Sequence, residues 1–188
     1  MEFAERIDGE RLFLQAPKAD FATAEKYLKL ALHSLEDLKP WLLWANYPLS
    51  AESYYDFLKN AEKERKESCG VYYMICRRDD GLFIGDISLH DIDCKNFSGK
   101  FGYWIGSAYA GQGYMREAVR LLEQDLFRRG FNRLVIETDV RNLKSAAVAQ
   151  ACSYHKEGIM RQKEYNPLQK EYRDINLFAK LRQEFTND

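Results

Sequence analysis

The stretch YAGQGYMREA, residues 109–118, sets Gly111 and Gly113 two positions apart and runs straight into a helical pattern. Glycine is the poorest common helix former after proline, so its use at a helix mouth needs a reason. A turn that requires positive φ is one reason. The other is a loop whose bare backbone N–H groups must come close to an anion. The first N–H groups of a helix have no partner inside it, and the helix dipole adds roughly half a positive charge there. Pyrophosphate is the natural guest of such a terminus. Of two known phosphate loops one fails and one fits weakly, so a nucleotide-binding domain stays open as an alternative. Counted from Gly106, a Walker loop would need Lys and Ser/Thr where Gln112 and Gly113 stand. A dinucleotide fingerprint would need glycine at Arg116, and no convincing acidic residue ends a strand about twenty positions on. Two further spots carry chemistry. Asn142-x-x-Ser145 opens a helical segment, and Glu164, in RQKEYN, sits at the end of a predicted strand from which it can receive a proton, directly or through water. Glu137 and Asp139 compete with it for the role of base. The three histidines, His33, His90 and His155, are scattered, so no metal site is expected.

These residues need elements to hold them. A short strand is expected over 11–15 and a helix over 19–42, stopped by Pro40. A second helix follows over 49–68, with Ser50 and Ser53 as its capping signal. The aromatic segment KPWLLWANYP lies between them. Residues 70–93 read as a hairpin around Asp80-Gly81, and 99–107 as a strand. Residues 114–129 place Met115, Ala118, Val119, Leu122 and Leu126 on one helical stripe, with Gly130 as its terminal glycine. A buried strand over 132–140 and a helix over 142–155 with Asn142 as N-cap come next. GIMRQKEY and EYRDINLFAKL read as two closing strands. No repeat or linker divides residues 1–188, so a single α/β domain is expected: one mixed central sheet with helices on both faces.

The 188 residues are 46% hydrophobic, which excludes a disordered chain, and suffice for a real core. A formal charge of −1 gives no reason to expect nucleic acid or a membrane surface as partner. The acidic start MEFAERIDGE has no apolar core of a signal peptide, and no apolar run reaches bilayer length. The four cysteines show no C-x-x-C spacing, so reduced thiols in the cytoplasm are expected. Cys152, on an apolar helix face, reads as core.

YWIGSAYAGQGYMREAVRLLEQDLFRRGFNRLVIETDVRNLKSAAVAQ resembles the central motif of the GNAT acetyltransferases. EGIMRQKEYNPLQKEYRDINLFAKL and LKPWLLWANYP extend the likeness to the RimJ/RimL-type enzymes, which acetylate the N-termini of ribosomal proteins. The loop pattern of that family is (Gln/Arg)-x-x-Gly-x-(Gly/Ala). Gly111 and Gly113 fit its inner positions, while Ala110 and Met115 depart from it. The resemblance implies acetyl-CoA as co-substrate and direct acetyl transfer to an amine. It also implies a splayed strand pair at the CoA site, with a bulge suited to Gly102 and Gly106. On this reading Tyr103, Trp104, Ile105 and Gly106 pair with the pantetheine arm, and Gly111, Gln112, Gly113, Tyr114 and Met115 bind the pyrophosphate through backbone amides. Asn142 bonds the pantetheine, and Ser145 gives a proton to the leaving thiolate, with Tyr154 and Tyr165 as alternatives. Glu164 is the base, and Trp41 and Trp44 border the acceptor groove. The expected acceptor is a protein α-amine. A small amine such as a polyamine, antibiotic or amino-sugar stays open, as does a CoA-binding module without turnover. A homodimer, the commonest assembly of soluble oligomers, is left open as well.

Overall fold

Strand periodicity decides which helix layer each side chain meets. On β3 (Val71–Arg77), Val71, Tyr73 and Ile75 join one buried cluster, while Met74 and Cys76 join another on the opposite face. The described part of the chain, residues 2–185 of a computed structural model, builds one sheet around that division. Its other strands are β1 (Arg6–Asp8), β2 (Leu12–Gln15), β4 (Phe83–Asp93), β5 (Ser98–Ile105), β6 (Arg133–Asp139), β7 (His155–Asn166) and β8 (Glu171–Leu181). Their order is β1-β2-β3-β4-β5-β6-β8-β7. All neighbours are antiparallel except β5 and β6.

Helices α1 (Phe21–His33) and α3 (Ala51–Glu67) cover one face through Ala24, Tyr27, Ala31, Tyr54 and Leu58. Between them lie the short α2 (Leu35–Leu38) and one 3-10 turn, Leu43–Asn46. The other face carries α4 (Tyr114–Arg128) and α5 (Leu143–Ala151). The stripe read from the sequence, Met115, Ala118, Val119, Leu122 and Leu126, is buried throughout. Each of its large members stabilises the fold by about 1.5–3 kcal/mol relative to exposure. A buried ion pair, Lys180 Nζ to Glu123 Oε1 at 2.8 Å, ties β8 to α4, and the same ammonium donates to the carbonyl of Cys152 at 3.0 Å. Cys152 itself is 1% exposed, as a core residue should be.

The structure corrects several expectations. The helix expected over 19–42 breaks at Ser34, which caps α1 and precedes α2. β1 carries no strand signal of its own in three residues and exists because β2 offers it a partner. No register shift occurs at Gly102 or Gly106; the β4–β5 irregularity lies between His90 and Asp93. At Gly102 a Cβ would come within 2.8 Å of Ser88 Oγ, so that glycine serves close packing.

Candidate active site

The central feature is where β5 and β6 part. Their pairing runs from Ser98↔Arg133 to Phe101↔Ile136 and stops. β5 nevertheless continues along β4 as far as Ile105, and β6 continues along β8 as far as Asp139. Gly102–Ile105 and Glu137–Asp139 therefore diverge and leave strand edge facing open space. A cleft of about 1090 Å³ runs through the gap.

At one end of the cleft lies the glycine loop. Gly111 and Gly113 have φ of +76° and +80°, values that side chains other than glycine and, less often, Asn or Asp tolerate poorly. Gly113 is the N-cap of α4, and being glycine it offers no side chain to the helix N–H groups. In α1, α3 and α5 the equivalent groups are taken by Asp20, Ser50 and Asn142. Among the described residues no hydrogen bond takes up the N–H of Gly111, Gln112 or Gly113, and the helix ladder opens only with Glu117 N–H to Gly113 O at 3.1 Å. Arg11, about a hundred residues away in sequence, fixes the loop from behind. Its Nη1 donates to Gln112 O at 3.1 Å and its Nε to Glu117 at 2.8 Å. The carbonyl and N–H of one peptide unit point in opposite directions, so holding Gln112 O turns the Gly113 N–H away from Arg11. Arg116, in the first turn of α4, lines the cleft and supplies a cation.

Along the gap stand Tyr103, Trp104 and Ile105 of β5 and, opposite, Asn142 and Ser145 at the start of α5. The Asn142 side chain accepts from Ser145 N–H at 3.1 Å, an N-cap that fixes the first turn. Ser145 Oγ lies 3.0 Å from the hydroxyl of Tyr103, which also reaches Ser145 O at 3.3 Å. Burial pushes the Tyr103 phenol up to about 12.

On the α1/α3 side the cleft is lined by charged groups. Lys100 bridges Glu137 at 3.0 Å and Asp91 at 3.4 Å. Burial opposes the Lys100 charge, but the two carboxylates outweigh it and hold its pKa above the ordinary value. Asp139 is held below its ordinary value, first by the Arg141 hydrogen bonds and against the effect of its burial. Asp37 faces Lys144 at 3.9 Å. Among the described residues Glu164 is the one carboxylate of this wall with no ion pair. It sits directly after a bulge: Met160 pairs with Ile175 and Glu164 with Arg173, so three residues of β7 oppose one of β8. Asp174 accepts the Gln162 N–H at 2.8 Å and holds that bulge.

Trp41, Tyr103, Trp104, Ile105, Gly111, Gly113, Tyr114, Met115, Asn142, Ser145 and Glu164 all line this one cleft. Gly106 and Trp44 do not, and Gln112 offers only its free backbone N–H. Gly106 is buried, its N–H already donates to Ile84 O at 2.8 Å, and a Cβ there would strike Leu30 at 2.6 Å. The Gln112 side chain folds back onto Ala108 O at 2.9 Å. Trp44 packs edge-on against Trp104 at 5.7 Å, behind the wall. Tyr154 is 4% exposed and outside the cleft. Arg11, the role of Arg116 and the pairing of Lys100 with Glu137 escaped the sequence reading, which had Glu137 only as a competing base. Arg116 was visible as a basic residue in the first turn of a loop-capped helix, whereas nothing local marks Arg11.

A parallel strand pair that splays beside a helix with an uncapped, glycine-rich N-terminus defines a site for a long ligand with a phosphate end. The sequence matches the acetyltransferase (GNAT) domain over residues 11–155, and the chain belongs to that family. It is 31% identical over 137 residues to the putative ribosomal N-acetyltransferase YdaF of Bacillus subtilis, covering 72% of this chain and 74% of that protein. It is 29% identical over 165 residues to the ribosomal-protein-serine acetyltransferase of Escherichia coli, covering 85% and 90%. The structure of RimL, a ribosomal L7/L12 alpha-N-protein acetyltransferase in complex with coenzyme A, superposes with a TM-score of 0.87 at 28% identity, covering 96% of this chain and all of that one. The protein is an acetyl-CoA-dependent N-acetyltransferase. The free loop amides, the two positive-φ glycines and the open strand edge fit that co-substrate.

Proposed function

We propose that the protein acetylates the α-amine of a protein N-terminus, a ribosomal protein by the names of its relatives, in the cytoplasm. The loop amides of 111–113 and the first turn of α4 hold the pyrophosphate, with Arg116 alongside. The β5 edge and Asn142 align the pantetheine arm. The thioester supplies the activated acetyl group. Glu164 takes the proton of the attacking amine, and Ser145 gives one to the sulfur as the carbon–sulfur bond breaks. Trp41 borders the entering acceptor. The single observation that carries this reading is the Glu164 carboxylate, without an ion pair among the described residues, in the same cleft as Ser145.

The acceptor class follows from the proton. An α-amine, with a pKa near 7.7–8.0, needs roughly 1–1.4 kcal/mol to become neutral at pH 7, and a lysine about 4.6. An exposed carboxylate such as Glu164 suits the first. A lysine would call for a desolvating slot, whereas the acceptor side of this cleft is lined with charged pairs. Thiol release from acetyl-CoA should be measured with Ser- or Ala-initiated peptides, the same peptides blocked at the N-terminus and carrying a lysine, and small amines. Free N-termini should turn over fastest. Preference for blocked lysine peptides, a polyamine or an amino-sugar would overturn the assignment.

A further inference from the structure

The Tyr103 side chain is unused in the account above, yet among the described residues it alone reaches the hydroxyl of Ser145, at 3.0 Å. We propose that Tyr103 is a positioning residue for the acid step: its phenol donates to Ser145 Oγ and so leaves the serine proton free to point at the thioester sulfur. The inference rests on the reading of Ser145 as the acid.

The argument is one of donors and acceptors. Tyr103 has one proton, and its acceptors among the described residues are both on Ser145: Oγ at 3.0 Å and the carbonyl at 3.3 Å. A serine hydroxyl is one donor with two acceptor lone pairs, and its proton turns to the better acceptor. A developing thiolate is the better one, since hydrogen bonds to charged groups are about twice as strong as neutral ones. Once the serine proton faces the sulfur, a lone pair of Oγ faces Tyr103, and the phenol fills it. As the proton leaves for the sulfur, Oγ gains negative charge, and the phenol is already in place to stabilise it. The protons balance. One leaves the amine nitrogen for Glu164 and then solvent, one passes from Ser145 Oγ to the sulfur, and water of the cleft restores the serine. Tyr103 keeps its own proton throughout, because burial holds its pKa at about 12.

Position supports the assignment. Tyr103 lies on β5 past Phe101, the last residue paired with β6, so it stands within the splay. Alternation along β5 puts Phe101 and Tyr103 on the α4/α5 side and Trp104 on the other. Ser145 is held independently, because its N–H is fixed by Asn142. Losing the phenol should therefore free the hydroxyl without moving the helix.

The test is a double-mutant cycle of Tyr103→Phe and Ser145→Ala, read with steady-state kinetics and with the melting shift caused by CoA. Tyr103→Phe alone should lower kcat about tenfold, the size of one hydrogen bond to a developing charge. KM for acetyl-CoA and the CoA-induced melting shift should stay as in the parent protein. In the Ser145→Ala background the same change should cost less than about twofold, because the group through which it acts is gone. An equal loss in both backgrounds would overturn the proposal, as would a Tyr103→Phe enzyme with unchanged kcat. A smaller CoA shift in Tyr103→Phe would show a ligand-binding or structural role and overturn it as well. If Ser145→Ala itself leaves kcat unchanged, the acid assignment fails first and the proposal falls with it.

Discussion

Glu164 and Ser145 line one cleft and have unlike surroundings. Ser145 is tied into a cap and a phenol, and Glu164 has no ion pair among the described residues. The difference suits their work, since an acid must be aimed and a base must be free to collect a proton. Glu164→Gln should depress kcat/KM most at low pH. The deficit should shrink once pH passes the pKa of the acceptor amine, about 8, where solvent has already removed the proton. A deficit of constant size in the pH–rate profile would make Glu164 an orienting group. A second carboxyl, outside the cleft, titrates in an unusual range. Asp86 of β4 is buried, and burial raises its pKa to about 7 although the Tyr27 hydroxyl donates to it at 2.6 Å. The folded state thus keeps a proton that the unfolded chain has lost, and stability falls as pH rises from 3.8 towards 7. Asp86→Asn should melt above the parent protein at pH about 8, with the gap closing towards pH about 4. Melting curves across that range decide it, and a gap independent of pH would show that Asp86 does not titrate there.

At the scale of elements, the glycine loop shows how one position can serve backbone and ligand together. Gly113 has φ of +80°, and the nearest atom to a Cβ there would be Arg11 Nη2 at 3.4 Å. Space is available, so the cost of a side chain is in the backbone. Valine at 113 should lower the unliganded stability by about 1–2 kcal/mol, the left-handed penalty of a β-branched residue. Asparagine tolerates that conformation better. Gly113→Asn should therefore melt close to the parent protein without ligand and lose most of the CoA-induced shift, because its side chain meets Arg11 and disturbs the hold on Gln112 O that orients the loop amides. Calorimetry of the two variants with and without CoA separates the roles. Retention of the full shift in Gly113→Asn would remove the loop from the binding site. The β7 bulge is a second element with a purpose: three unpaired residues held by Asp174 let β7 regain its register at Glu164.

For the whole molecule, the cleft lies between the helix layers and is reached from both faces of the sheet. α4 and α5 bring the phosphate end and Ser145, while the segment after α2 and β7 bring Trp41 and Glu164. A ligand threaded through the splay therefore touches many elements at once, and binding should stabilise the entire fold. At a hundred times its dissociation constant CoA should add about 2.7 kcal/mol, a melting shift of roughly 5–10 °C for a chain of this size. ATP or NAD at the same concentration should give none, and thermal denaturation reads the contrast directly.

The sequence alone determined whatever short-range physics writes locally. The 3.6-residue stripe of α4, the Asp80-Gly81 hairpin, the N-caps Ser50 and Asn142, and the glycine pair at a helix mouth were all legible, because propensity and capping act within a few residues. The family motif carried Ser145 and Glu164 into view beside them. Only the tertiary structure decided which aromatic is wall and which is core, since Trp41 and Trp44 have the same local signal and differ by what packs behind them. It also took Gly106 out of the site, because its neighbours Ile84 and Leu30 are distant in sequence. The partners of Arg11 at the loop, of Tyr103 at Ser145 and of Lys100 at Glu137 lie between 37 and 106 residues away. Contacts of that span are fixed by sheet order and register, and no local pattern in the chain encodes them.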